Sequence, residues 1–179
     1  MHTLITTFVV FFIQTVYGTS LDFESPVLGQ ADIDAFPAVK FGNLNEQIHG
    51  ISECRAFPGS PNWPPEDDWQ LLNKTLDGVL LKPELPAVSC YPGLLFDAAK
   101  CQYLVTTAPT TSFYVDDPVV VLTQWPQGDT CLPFLNATGK CTRGGFPEYV
   151  VNATTVKHVQ AAVNFARNKN LRLVVKYVV

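Results

Sequence analysis

The most regular pattern of hydrophobic and polar positions lies near the C-terminal end of the chain. After Gly144 and Gly145 the short run EYVVN is rich in residues that favour β-strands. Apolar residues then recur at intervals of three and four positions and form one face: Val156, Val159, Val163 and Ala166, widened by Ala162 and Phe165. This spacing predicts an amphipathic helix that buries those side chains.

Both ends of this helix carry recognisable signals. Thr154 or Thr155 can cap the start, because a hydroxyl oxygen accepts a hydrogen bond from a free backbone N–H. In the last turn Arg167 and Lys169 complement the helix dipole, and Asn170 can adopt the left-handed conformation that closes a helix. The following run, LRLVVKYVV, predicts a largely buried strand. Together these elements predict a βαβ unit with parallel strands and a right-handed crossover.

A second, shorter amphipathic helix is predicted after Pro64 and Pro65, since proline suits the first helical position. The acidic residues that follow complement the positive end of the helix dipole: Glu66, Asp67 and Asp68. Three apolar side chains at i, i+3 and i+7 predict its buried face: Trp69, Leu72 and Leu76. Gly78 is a natural C-terminal stop.

The rest of the sequence lacks long periodic elements. Residues 19–51 form a polar lead-in punctuated by glycine and proline. Residues 80–145 hold many of the 14 prolines and predict loops and short strands, with VVVLTQW as the best strand candidate. The predicted organisation is therefore a leader at 1–18, a cysteine- and proline-rich region at 19–145, and the start of a further domain at 146–179.

The leader has an apolar run from Leu4 to Val16, which is short for a membrane span and typical of a signal peptide. Cleavage is predicted after Gly18, and the chain is expected to be secreted to the extracellular space; the alternative is a buried N-terminal helix. The hydrophobic content of 47% is ample for a packed core. A net charge of -4 without a basic stripe argues against nucleic acid or an anionic membrane as a partner.

Two further features agree with export. Three N-glycosylation sequons occur, at Asn73 (NKT), Asn136 (NAT) and Asn152 (NAT). Asn73 lies about 40° around the helix from Trp69, so a glycan there would sit beside the buried face. The five cysteines suit an oxidising compartment: Cys54, Cys90, Cys101, Cys131 and Cys141.

An odd number of cysteines leaves at least one thiol unpaired or bonded to another chain. Cys131 with Cys141 flanks a turn-rich loop and is a plausible local disulfide, and Cys90 with Cys101 is a similarly spaced candidate. No CxxC pair occurs, so no metal site is expected.

Other candidate chemistry has simpler interpretations. His158 is expected to face solvent or lie at an edge, and Asp116 and Asp117 precede a proline as in a turn. The acidic residues 66–68 are helix-start charges. The tryptophans are expected to pack in the core: Trp63, Trp69 and Trp125.

The segment PEYVVNATTVKHVQAAVNFARNKNLRLVVK resembles the opening of the FAD-binding domain of the vanillyl-alcohol oxidase and p-cresol methylhydroxylase (PCMH) type. It is more closely similar to secreted fungal berberine bridge enzyme-like FAD oxidases. CRAFPGSPNWPPEDDWQLLNKTLDG, LKPELPAVSCY and DDPVVVLTQWPQGDTCLP extend the resemblance from Cys54 to Lys176. It implies an α+β fold: a disulfide-tied N-terminal region, then the first βαβ unit of a PCMH-type FAD-binding domain, incomplete.

The resemblance implies the N-terminal part of a secreted FAD-dependent oxidoreductase of small organic or carbohydrate substrates. In that family the strand corresponding to LRLVVK continues into a loop with Gly and His, which binds the FAD pyrophosphate and whose His commonly bonds the flavin. No residue here matches that loop, so no catalytic or cofactor-binding residue is assigned, and weak or no FAD binding is expected. The alternative is a non-enzymatic secreted, disulfide-containing glycoprotein that acts as a binding module.

The chain departs from the family pattern in two respects. Relatives usually have cysteines where Ala56 and Asn62 stand, which leaves the partner of Cys54 open. The family also extends for several hundred more residues. Because Lys-Tyr-Val can be encoded by AAG TAT GTN, which contains a sequence like a fungal splice donor, the residues 177–179 are expected to be translated intron, and the chain a truncated one.

Overall fold

The computed structural model describes residues 20–42, 54–110, 113, 115 and 128–176. The predicted leader at 1–18, the strand candidate VVVLTQW, Trp125, the Asp116–Asp117 pair and residues 177–179 lie outside these ranges. Within them, no helix combines the length and the hydropathy needed to cross a membrane.

The described chain is mixed α and β, with more helix than strand. In chain order its helices are α1 (Gln30–Ala35), α2 (Glu66–Thr75), α3 (Ala98–Thr107) and α4 (Val156–Asn168). Short 3-10 turns lie at Asp22–Glu24, Pro37–Val39 and Val88–Cys90. Strands β1 (Leu80–Leu81) and β2 (Val150–Val151) pair antiparallel.

Helix α2 confirms the prediction for the second amphipathic helix. It begins after Pro65, carries three acidic residues in its first turn, and buries Trp69 and Leu72. Leu76, just past its end, is also fully buried. Asp77 and Gly78 then adopt left-handed backbone conformations (φ 55° and 89°), which explains why a glycine is favoured at this stop.

Both predicted ends of helix α4 are also confirmed. The Thr155 hydroxyl accepts a hydrogen bond from the backbone N–H of His158 at 3.3 Å. Asn170 is left-handed with φ 53°. Its N–H donates to the carbonyl of Arg167, and the N–H of Leu171 donates to the carbonyl of Ala166 at 2.8 Å. This pair of bonds is a Schellman motif, which satisfies the last carbonyl groups of the helix.

The buried face of α4 differs from the predicted one. Phe165 and Ala166 are buried as expected, but Val159 and Val163 are exposed, so their predicted burial is wrong. His158 is buried, which corrects the prediction that it faces solvent; its Nδ1 accepts a hydrogen bond from the N–H of Thr154 at 3.2 Å. The helix is rotated because residues 20–42 cover a polar side of it.

Residues 20–42, the N-terminal segment, run along α4 and are held by polar side chains one or two turns apart. The Gln160 Oε1 accepts from the Leu28 N–H at 2.8 Å, and the buried Asn164 Nδ2 donates to the Val39 carbonyl at 3.1 Å. Asn168 and Arg167 donate to the Lys40 carbonyl. The first two bonds pair backbone groups of Leu28 and Val39, which are buried residues whose polar atoms would otherwise be left unsatisfied.

An ion pair fastens α1 of this segment to α4. The Lys157 Nζ lies 3.1 Å from Asp32 Oδ1, and the other Asp32 oxygen accepts from the Gly29 N–H at 3.0 Å. The Gly29 hydrogen bond is the largest cause that lowers the pKa of Asp32, and Lys157 acts in the same direction. Asp32 therefore stays ionised at neutral pH, and this contact weakens only as the pH falls below the ordinary carboxyl range.

The strand pairing after α4 differs from the predicted βαβ unit. In the described chain β2 pairs with β1, with Leu80 opposite Val151 and Leu81 opposite Val150. Leu171 forms an isolated parallel bridge with Ala56, and residues 172–176 form no strand. Leu171 is buried as predicted, but residues 172–175 are exposed, so the predicted burial is wrong for these four. No described strand lies beside them to cover their side chains.

One hydrophobic core joins the N-terminal segment, α2 and α4. Its buried members are Leu28, Phe36, Val39, Ala56, Trp69, Leu72, Leu76, Ala161, Phe165, Ala166 and Leu171. Residues 28–39 thus supply core contacts, although their sequence shows only weak periodicity. Burial of aliphatic and aromatic side chains of this kind stabilises a fold by about 1.5–3 kcal/mol per side chain.

The region between β1 and β2 is tied by two local disulfides, Cys90–Cys101 and Cys131–Cys141. Helix α3, which the sequence pattern did not predict, carries Cys101 and is capped by Asp97, whose side chain accepts from the Lys100 N–H at 2.9 Å. A second small core forms beside the disulfides from Ala87, Cys131 and Phe146. The cross-links compensate for the modest size of this core.

Candidate functional site

Several aromatic side chains of the described chain pack against one another and form an aromatic stack. The Trp69 ring stacks on Tyr149 with centroids 3.9 Å apart and meets Phe165 edge-on at 5.1 Å. Trp63 and Phe36 extend the stack at 5.3 Å from Trp69 and 5.8 Å from Phe165. The stack therefore joins α2, α4, the N-terminal segment and the start of β2.

Three titratable side chains lie together at the Tyr149 end of this stack: Tyr149 itself, Glu66 and Lys82. The Tyr149 hydroxyl donates to Glu66 Oε2 at 3.3 Å, and the Lys82 Nζ lies 5.3 Å from the Tyr149 ring centroid. Burial raises the pKa of Tyr149, although Lys82 opposes the shift. Hydrogen bonding to the Tyr149 oxygen raises the pKa of Lys82. Tyr149 therefore stays protonated and Lys82 charged at neutral pH, so neither group is poised as a general base.

Tyr149 and Lys82 were missed by the sequence analysis. Alternation within EYVVN places Tyr149 and Val151 on the same side of a strand, which is the one sequence signal for Tyr149. Lys82 follows two leucines and carries no comparable signal. The acidic residues 66–68 lie in the first turn of α2 as predicted. Two of them also have partners that were not predicted: Asp68 pairs with Lys169 at 2.6 Å, and Glu66 accepts from the Tyr149 hydroxyl.

The candidate functional site is the sheet edge, defined as Cys54–Ala56 with residues 171–176. Ala56 donates its N–H to the Asn170 carbonyl at 2.9 Å, and Asn170 Nδ2 donates to the Cys54 carbonyl at 3.0 Å. The Arg55 Nη1 donates to Asn170 Oδ1 at 2.9 Å. These contacts fix where the chain leaves α4, and they pair Leu171 with Ala56 in the parallel sense.

Ligands of α/β sheets bind beyond the carboxyl ends of strands, so a ligand of a parallel sheet that included the Ala56–Leu171 bridge would be expected just beyond Leu171. A dinucleotide pyrophosphate there needs close backbone N–H groups, which glycines permit. The described residues beyond Leu171 are Arg172, Leu173, Val174, Val175 and Lys176, and none of these five is a glycine. The described glycines with positive φ lie in other turns. The described residues therefore do not fit a dinucleotide pyrophosphate.

Other described features give little chemistry. A cavity of about 390 Å³ lies between the disulfide loops, lined by apolar side chains, Tyr91 and one cation, Lys140. Across the parts of the chain that the structure describes, no group of three His, Cys, Asp or Glu side chains is placed to hold a metal ion. Cys54 is exposed and has a free thiol.

The three sequon asparagines occupy different environments. Asn136 is exposed, on the loop closed by Cys131–Cys141, and Asn152 is exposed just after β2. Asn73 is half-buried, and its Oδ1 accepts from the Leu80 N–H at 3.0 Å. The structure thus distinguishes two exposed sequons from a third, on α2, whose asparagine side chain already accepts a hydrogen bond.

No protein-family model matches the chain. The VAO-type flavoprotein oxidase VAO615 of Thermothelomyces thermophilus is 40% identical over 126 residues, which cover 69% of this chain and 22% of that protein. The FAD-linked oxidoreductase sor8 of Hypocrea jecorina is 34% identical over 125 residues, covering 70% and 22%. The crystal structure of the VAO-type flavoprotein MtVAO713 from Myceliophthora thermophila C1 matches with a TM-score of 0.61 and 35% identity, covering 68% of this chain and 22% of that one. The chain thus spans about a fifth of the length of these relatives.

Proposed function

Because the chain is a partial member of the VAO-type, FAD-linked oxidoreductase family, we propose that it forms the N-terminal part of an FAD-dependent oxidoreductase. Residues 146–179 would begin the FAD-binding domain, with β2 and α4 as its first elements. The parallel bridge between Ala56 and Leu171 carries this proposal, because it pairs the chain that leaves α4 with Cys54–Ala56 in the parallel sense.

The part that these residues play is that of a scaffold. The aromatic stack and the N-terminal segment hold α4, and the Schellman motif sets the direction of the chain at Leu171. When bound in a whole family member, FAD supplies the redox chemistry. The described residues do not fit its pyrophosphate, so they would orient the sheet that supports the cofactor while other parts of the protein contact it.

The substrate and the location follow from the family and the sequence. We propose small organic or carbohydrate substrates, as the family resemblance implies. Of the relatives, VAO615 is a VAO-type flavoprotein oxidase and sor8 is an FAD-linked oxidoreductase. Export to the extracellular space is supported by the two disulfides and by the exposed sequons at Asn136 and Asn152.

A chimera tests the scaffold proposal. In the chimera, residues Cys54–Lys176 of this chain replace the corresponding segment of VAO615 from Thermothelomyces thermophilus. All other residues of the chimera are those of VAO615. We expect the purified chimera to fold and to carry flavin at close to one molecule per chain, measured by visible absorbance, because the family scaffold is retained. The matched control exchanges the same segment but carries Trp69→Ala, which removes the centre of the aromatic stack.

The control is expected to lose most of its flavin or its solubility. A chimera that is folded by circular dichroism and melts cooperatively, yet contains no flavin, would contradict the assignment of this segment to the cofactor-supporting scaffold.

A further inference from the structure

The two disulfide loops, closed by Cys90–Cys101 and Cys131–Cys141, expose large apolar side chains, which together are called the apolar patch. Leu94 is fully exposed, Phe96 is 55% exposed, Phe134 58% and Leu135 51%. The two loops are in contact, because the Phe134 carbonyl oxygen lies 3.6 Å from the Cys101 sulfur. Contiguous exposed apolar surface on a protein commonly marks a place where another group packs.

The loop that carries Phe134 is rigidly anchored. The disulfide Cys131–Cys141 closes it, and the Tyr91 hydroxyl donates to the Leu132 carbonyl at 3.1 Å. At its base Thr130 and Thr142 exchange two hydrogen bonds of 3.1 and 2.8 Å. The positions of the side chains at its tip are therefore fixed relative to one another by the backbone.

The tip has the sequence Phe134-Leu135-Asn136-Ala137-Thr138. It combines an exposed aromatic ring, a sequon asparagine two residues later, and the sequon threonine two residues after that. Asn136 sits in a turn with φ 57°, a left-handed conformation that reverses the direction of the chain. In such a reversal the side chains two positions apart can lie on the same side of the turn.

We propose that Asn136 carries an N-linked glycan whose first N-acetylglucosamine packs on the ring of Phe134 and covers the apolar patch. One face of a pyranose ring presents C–H groups, so that stacking on an aromatic ring removes apolar surface of both from water. The glycan is thus a structural part of this face of the protein. The proposal requires export, but it is independent of the oxidoreductase assignment.

The other two sequons lack this arrangement. Two residues before Asn152 stands Val150, whose side chain belongs to β2. Asn73 is half-buried, and its Oδ1 already accepts the Leu80 N–H. Asn136 is therefore the sequon where a glycan can both be attached and gain a packing partner.

The test expresses the full chain in a glycosylating fungal host, with the VAO615 chimera as a second background. Peptide mass spectrometry measures occupancy, and thermal unfolding is followed before and after enzymatic removal of the glycans. Variants are Thr138→Ala, which removes the sequon but keeps Asn136 and its backbone, and Phe134→Ala, which keeps the sequon. Asn152→Gln is the matched control, because its glycan has no aromatic neighbour two residues before it.

We expect Asn136 to be glycosylated. Removal of this glycan, by enzyme or by Thr138→Ala, is expected to lower the melting temperature of the protein by about 2–4 °C. In the Phe134→Ala variant, removal of the Asn136 glycan is expected to change the melting temperature by less than about 1 °C. Asn152→Gln should leave the effect of the Asn136 glycan unchanged.

Three results would each overturn the proposal. One is an unmodified Asn136 while Asn152 is modified, and another is the absence of glycans from all three sequons. The third is an equal temperature shift with Phe134 and with alanine at that position, because it would show that the sugar gains nothing from the ring. None of these results bears on the flavin content of the chimera.

Discussion

Replacing Trp69 by alanine is expected to lower the free energy of unfolding by about 3–5 kcal/mol. Trp69 is buried, stacks on Tyr149, meets Phe165 edge-on, and donates its Nε1–H to the Pro64 carbonyl at 3.2 Å. The substitution would leave a cavity between α2 and α4 and remove every one of these contacts. Stability is measured by urea unfolding at low chain concentration, followed by far-ultraviolet circular dichroism.

Trp63 provides the matched control, because it is the same residue type at the edge of the stack. It is partly buried and contacts Trp69 with centroids 5.3 Å apart. Trp63→Ala is expected to cost about 1 kcal/mol, the magnitude of a single aromatic pair. Equal losses for the two variants would mean that Trp69 does not hold the elements together in the way that the structure indicates.

The second large effect concerns the sheet edge. At Leu173, Val174 and Val175 the chain exposes consecutive apolar side chains on backbone that forms no strand pairing within the described residues. Such an edge pairs readily with another copy. We expect the chain to elute from size exclusion mainly as assemblies, and Val174→Lys to convert most of it to monomer, because a charge at the edge opposes strand addition.

Val159→Lys is the control for this change. Val159 on α4 is 53% exposed and Val174 is 51% exposed, so both variants replace an equally open valine by lysine. A surface lysine on α4 should leave the assemblies in place. A chain that is monomeric without any substitution, or that responds equally to both lysines, would contradict the role of the sheet edge.

The elements that could be predicted from sequence are those whose signals are local. Helix α2 follows from acidic residues at its start and from Trp69, Leu72 and Leu76 at helical spacing. The Thr155 cap and the left-handed Asn170 follow from the preferences of single residues. Each of these depends on a few neighbouring positions, so tertiary contacts cannot easily override them.

The orientation of α4 could not be predicted in the same way. Its valines outline an apolar face, but Asn164 and His158 are buried instead of Val159 and Val163. The polar side of the helix is buried because Asn164 and Gln160 bind backbone groups of the N-terminal segment. These bonds span more than a hundred residues of sequence, and no periodic pattern encodes them.

Strand pairing was the least predictable part for a related reason. A run such as LRLVVK has the composition of a buried strand, but its burial requires neighbours on both sides. Among the described residues Leu171 finds one neighbour, Ala56, in a single bridge. The candidate site at Cys54–Ala56 and residues 171–176 was likewise accessible mainly through the family resemblance, because these residues have no motif of their own.

The central claim is that these residues support the FAD-binding sheet without holding the cofactor themselves. The most direct test is equilibrium dialysis of the 179-residue chain against FAD, with the VAO615 chimera measured in parallel. We expect no saturable flavin binding by the chain and close to one flavin per molecule of chimera. Retention of one FAD per chain by the 179 residues alone would contradict it.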